Sequence, residues 1–190
     1  MLKRISIFNL LIFWVAFAGF AQESTPNYLE LGITQNKTGN YADALRNFSI
    51  EIEKNMANPN PISFYNRGFA KYNLKDFRGA ILDFDKAIEL KPTYFEAFIA
   101  RGQSYSMQDN HKVAMNDYNE AIRLNPLEAT AYFSRGISKM KLQNFRGGLS
   151  DFNKSLELSP EYAPGLASRG ESKVKLGDFK GSLEDFDKAI

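Results

Sequence analysis

Four arginine–glycine pairs, Arg67-Gly68, Arg101-Gly102, Arg135-Gly136 and Arg169-Gly170, follow one another at intervals of 34 residues. Other residues keep the same step: Phe77, His111, Phe145 and Phe179; Phe84, Tyr118, Phe152 and Phe186; Pro92, Pro126 and Pro160. A looser first copy runs through Tyr28, Gly32, Tyr41, Ala44 and Phe48, with 36 residues from Gly32 to Gly68. The two extra residues lie near the turn Asn58-Pro59-Asn60-Pro61. A fixed period of this length marks one supersecondary unit, too small to bury its own apolar face, copied and stacked along an axis.

Each unit reads as two helices. Phe64 and Gly68 share one face over Ile62 to Lys75, while Ala80, Phe84 and Ala87 share one over Gly79 to Leu90. Lys75-Asp76 marks the turn, and Pro92 cannot continue the second helix. Glycine inside a helix costs about 1 kcal/mol against alanine, so its return in all five first helices requires a packing reason. The expected reason is close approach of the second helix, carrying Phe84, Tyr118, Phe152 or Phe186 onto the glycine.

A 34-residue unit with Gly early, Ala-x3-Phe late and Pro at its end, as in Tyr65, Gly68, Ala80, Phe84, Ala87 and Pro92, resembles the tetratricopeptide repeat (TPR). The resemblance covers nearly all of the chain after its first residues. It implies an all-α, right-handed solenoid of about five repeats, near 25–60, 61–94, 95–128, 129–162 and 163–190, the last incomplete. The first helix of each repeat would line a concave wall. The sequence departs from the family pattern at Lys71, Lys139 and Lys173, where tyrosine is usual, and at Gly148, Ser155 and Ser182, where alanine is usual.

The repeated arginines could read phosphates or could be parts of the scaffold. Arg67, Arg101, Arg135 and Arg169 are each followed 16 residues later by Asp83, Asp117, Asp151 and Asp185. In a hairpin turning at Asp76, residues 67 and 83 stand at similar heights, so an ion pair within each repeat is expected. A cation so engaged recruits phosphate poorly. The aspartates do not converge on a metal or a catalytic pair, because packed helices step by about 10 Å whereas a calcium ligand sits within about 2.6 Å.

With no cysteine, one histidine (His111, in a slot filled elsewhere by phenylalanine) and no Gly-rich phosphate loop, no catalytic constellation assembles. The expectation is a non-enzyme without cofactor or metal. Lys3-Arg4, the apolar run Ile5 to Phe20 and the small residues Gly19 and Ala21 read as a signal peptide over 1–21, cleaved after Ala21. The run is shorter than the ~20 residues that span a bilayer. Its removal takes two cations and no acid, leaving 22 basic against 22 acidic side chains in 22–190, which argues against a polyanion ligand. A bacterial, periplasmic or secreted protein is expected, with no membrane contact after cleavage and no nucleic acid.

For the groove, the resemblance turns Tyr65, Phe69, Tyr72, Ile99, Met107, Phe133, Ile137 and Met140 inward, beside Leu29, Ile33, Gln103, Glu171 and Lys175. This wall is apolar and aromatic in its middle and lacks the Lys, Asn and Arg set with which the family clamps acidic tails. It suits a protein or peptide partner, although packing of these side chains between repeats stays open as the other reading. The alternative function is a structural arm of a larger envelope assembly or longer protein: Leu183, Phe186 and Ile190 form an apolar second helix with no polar cap after it, a surface suited to self-association.

Overall fold

The computed structural model describes residues 26–190; the expected signal peptide lies outside the described residues. Ten α-helices follow in order: α1 Tyr28–Lys37, α2 Tyr41–Lys54, α3 Pro61–Asn73, α4 Phe77–Leu90, α5 Phe95–Ser106, α6 His111–Leu124, α7 Ala129–Lys141, α8 Phe145–Leu158, α9 Ala163–Lys175 and α10 Phe179–Ala189. They stack as five antiparallel pairs into a right-handed solenoid.

Local chemistry sets the boundaries. Pro61 opens α3, where its missing N–H costs nothing, and Asn60 accepts from the Ile62 N–H at 2.9 Å. Asp76 caps α4 by accepting from the Gly79 N–H at 2.9 Å, and Asn144 and Asp178 do the same for α8 and α10. The first helix of the second repeat ends at Asn73, two residues earlier than its apolar pattern suggests. Lys75 is the reason: its φ of 65° lies in the left-handed region and stops the helix. Asp109 and Gln143 hold the same conformation at φ 59° and 62°, where Gly39 and Gly177 serve in the outer repeats.

Within each pair, the glycine of the first helix receives the ring of the second. A Cβ on Gly68 would stand 2.8 Å from Phe84, one on Gly102 2.6 Å from Tyr118, and one on Gly136 2.7 Å from Phe152. Those three rings are at most 1% exposed, and burying such a ring is worth about 1.5–3 kcal/mol. Between pairs, small residues meet: Ala87 and Ala97 share a cluster with Phe64 and Tyr94, and Ala121 and Ala131 share the next with Phe98 and Ile99.

Curvature follows from which helices touch. The first helices of successive repeats contact one another, α1 with α3, α3 with α5, α5 with α7 and α7 with α9, whereas among the described residues the second helices do not. The stack therefore bends with its first helices on the inside.

Candidate functional site

Two surfaces qualify as functional: the inner wall of first helices, and the row of charged rungs between helices. The rungs are built from regular parts. Arg67 donates Nε to Asp83 Oδ2 at 2.9 Å and Nη2 to Oδ1 at 2.6 Å. Arg101 makes the same two-pronged contact with Asp117 at 3.0 and 2.6 Å, and Arg135 with Asp151 at 2.9 and 2.7 Å. Arg169 grips Asp185 in the same way. All four carboxylates are buried.

Two further features of the rungs were not evident from the residue spacing. Lys71, Lys139 and Lys173 reach Asp83, Asp151 and Asp185 at 2.8, 2.8 and 2.7 Å, so each of these acids holds two cations. Lysine in the tyrosine slot therefore completes a charge cluster; its recurrence at the 34-residue step was the available signal. The third nitrogen of each arginine reaches back into the preceding repeat: Arg101 Nη1 to Asp85 at 2.6 Å, Arg135 to Asn119 at 2.7 Å and Arg169 to Asn153 at 3.3 Å. One guanidinium thus joins two helices of its own repeat to the repeat before.

The third repeat differs from the other repeats with a rung, because Tyr105 stands where they have Lys71, Lys139 and Lys173. Burial raises the Asp117 carboxyl above the usual carboxylate range, and the nearby Asp85 charge adds to this, while Arg101 opposes without overcoming it. At Asp185 burial pushes the same way, but Arg169 and Lys173 together hold the group below that range.

A cleft of about 550 Å³ opens on the rung side, lined by Tyr132, Arg135, Arg146, Asp151, Lys154 and Glu157 among others. Its Arg135 and Lys154 are already held by Asp151 and Glu157. Among the described residues no group of three or more His, Cys, Asp or Glu side chains could hold a metal ion. His111 begins α6 with its side chain largely buried, its Nε2 lying 3.7 Å from Asp109 Oδ1.

On the inner wall the expected residues fall into three groups. Phe69 and Met107 are open, at 37% and 56% exposure. Tyr65, Tyr72, Phe133, Ile137 and Met140 are half-buried. Tyr65 lies 5.0 Å from Tyr94 and 5.8 Å from Phe84, and Phe133 lies 5.0 Å from Tyr162 and 5.7 Å from Phe152, so both rings bridge their own repeat to the entry of the next. Met140 fills the space above Gly148, where a Cβ would approach its Cγ to 2.9 Å. Ile99 is a correction: at 7% exposure it packs in the cluster of Phe98, Ala121 and Ala131, because its helix turns it toward the following repeat. Ile62 and Val174, absent from the expected set, are 42% and 38% exposed on first helices. Between the apolar ends lies a hydroxyl-rich stretch, where Ser106 meets Tyr118 and Ser138 at 3.1 Å each and Gln103 donates to Ser134 at 3.3 Å.

The sequence model of the tetratricopeptide repeat matches residues 61–94 and 95–126, the two units whose rungs and ring-on-glycine contacts have just been described. Residues 61–126 are tetratricopeptide repeats. Such an array is a scaffold for protein–protein interaction. Solved structures with the same architecture include MamA 41-end from Desulfovibrio magneticus RS-1, at 25% identity and TM-score 0.72, covering 87% of this chain and 95% of that one. A MamA RS-1 double mutant aligns at 24% identity, TM-score 0.74, over 87% and 94%. A thermophilic TPR protein from Thermus thermophilus aligns at 19% identity, TM-score 0.71, over 86% and 88%. In the TPR array the rungs sit between helices, and the wall is the surface that varies from repeat to repeat.

Proposed function

We propose that this TPR protein is an exported bacterial scaffold that holds an apolar segment of a partner protein against its inner wall, and that it is not an enzyme. The observation that carries the reading is the exposure of Ile62, Phe69 and Val174 on helices that face the inside of the curve, and of Met107 at the C-cap of another such helix, α5. Repeats stepping about 10 Å give a wall of roughly 40 to 50 Å, which matches an extended segment of about 12 to 15 residues at ~3.3 Å each. Export rests on the charged and apolar pattern of residues 1–21. Bacterial origin is supported by the sources of the similar structures. Among the described residues no helix is long and apolar enough to cross a membrane.

The arginines are assigned to the scaffold, since each is held by a buried carboxylate. The test is selection of binders from displayed random 15-residue segments, followed by affinity measurement against a Phe69→Ala, Met107→Ala variant whose helix content is checked by circular dichroism. Two anchors worth about 1.4 kcal/mol or more each correspond to a loss of about a hundredfold. A folded variant that binds the selected segments as tightly as the parent overturns the groove reading.

A further inference from the structure

The five repeats are not joined equally well. Every junction from the second repeat onward has an arginine reaching back into the previous repeat, at 2.6, 2.7 and 3.3 Å. At the first junction the corresponding contact, Arg67 Nη1 to Ser49, is 3.5 Å and falls on a neutral hydroxyl. The first repeat also has no rung of its own. Leu31 and Asn47 occupy the places taken by Arg67 and Asp83 one repeat later, Leu31 is 43% exposed, and Asn47 turns to Gln35 at 2.6 Å.

The buried faces at this junction are polar as well. Where Ala87 meets Ala97 in one interface and Ala121 meets Ala131 in the next, the equivalent positions of the first junction hold Glu51 and Ser63. Glu51 is 8% exposed and Ser63 fully buried. One Glu51 oxygen accepts from the Asn55 amide at 3.0 Å; the other has no protein partner, and neither does Ser63 Oγ. Asn36 donates across the junction to the Asn66 carbonyl at 2.9 Å, but its own Oδ1 is buried and unmatched. Of the six buried side-chain polar atoms without a partner among the described residues, these three lie at one interface. A buried polar atom left unmatched costs free energy that separation from the neighbour returns, because water then satisfies it. The link after the first repeat is also the one with two extra residues, and Met56 within it is 73% exposed.

We propose that α1 and α2 form a detachable first repeat that opens from the array as a unit while α3 to α10 remain stacked. Opening changes one end of the inner wall, because the Tyr41 ring of α2 rests edge-on against Phe69 at 6.2 Å. It also uncovers the face of α3 carrying Ala70, which packs with Ala44 and Phe48 of the first repeat. The inference stands on the junction alone and holds whatever the wall binds.

Native-state hydrogen exchange of the purified protein, read by mass spectrometry, tests it. Amides of α1 and α2 should exchange together and at least tenfold faster than those of α3 to α8 and of α9 to α10. Glu51→Ala and Ser63→Ala, each installing the alanine of the next two interfaces, should slow that exchange at least threefold without altering the rest. Exchange in α1 and α2 no faster than in α3 to α8, equal opening of α9 and α10, or faster exchange of α1 and α2 in both variants overturns the proposal.

Discussion

Replacing Gly136 with alanine separates two effects that oppose each other. In an unconstrained helix interior the change gains about 1 kcal/mol from helix propensity. Here the new Cβ would stand 2.7 Å from Phe152 Cε1, 2.9 Å from Cδ1 and 3.1 Å from Cζ. The ring is 0% exposed and cannot swing toward solvent, so the two helices must separate. Overpacking of a tight core costs about 1–3 kcal/mol, and a rigid, enclosed ring belongs to the upper half of that range. The balance is a net loss of about 1–2 kcal/mol. Urea unfolding of the parent, Gly136→Ala, Phe152→Leu and the double variant would measure it. Leucine is narrower at the contact, so the double variant should be at least 1 kcal/mol more stable than the sum of the single losses. A Gly136→Ala protein about 1 kcal/mol more stable than the parent would show that the glycine has no packing role, and the close-approach argument would fail.

Four other expectations follow from the same geometry. Arg101→Ala should cost more than Arg135→Ala by about 1 kcal/mol or more, because Asp151 keeps Lys139 at 2.8 Å whereas Asp117 has Tyr105 at that place; equal losses in urea unfolding would contradict this. In carboxyl NMR titrations Asp117 should lose its proton at higher pH than Asp185. For stability the signs are opposite: the Asp185 contribution is present above the ordinary carboxylate value of about 3.9 and disappears as pH falls through its lower folded value, while Asp117 costs stability as pH rises through its raised one. Gln143→Gly should stabilise the protein by a few tenths to about 1 kcal/mol, since glycine accepts φ 62° without strain, and a lower melting temperature would count against it. Mass spectrometry of the protein from its native cell should find Gln22 at the amino terminus, and an intact Met1 in the soluble cytoplasm would exclude export.

The repeat was legible because its marks are steric necessities: a glycine under each buried ring, and a proline after the second helices α4, α6 and α8. The pairing of Arg67 with Asp83 could be inferred from their equal height about the turn. The third members of the rungs were harder. Lys71 in a tyrosine slot reads as a defect until the buried Asp83 beside it is seen. The turns at Lys75, Asp109 and Gln143 carry no glycine to announce their left-handed backbone. Ile99 was misplaced because helical spacing defines a face, but whether that face meets the groove or the next repeat depends on how adjacent pairs are rotated, which no single repeat encodes. Glu51 is buried in the stack of α3 on α2, an arrangement that its own repeat does not encode.

The inner wall is the part of the account on which function rests, and photo-crosslinking in the native cell tests it most directly. A benzophenone side chain placed at Phe69 or at Met107 should form a covalent adduct with a discrete partner protein, while the same group at Leu82, 68% exposed on a second helix, should not. Adducts formed from position 82 and absent from positions 69 and 107 would mean that the partner sits on the outside of the curve, and the wall would lose its assignment.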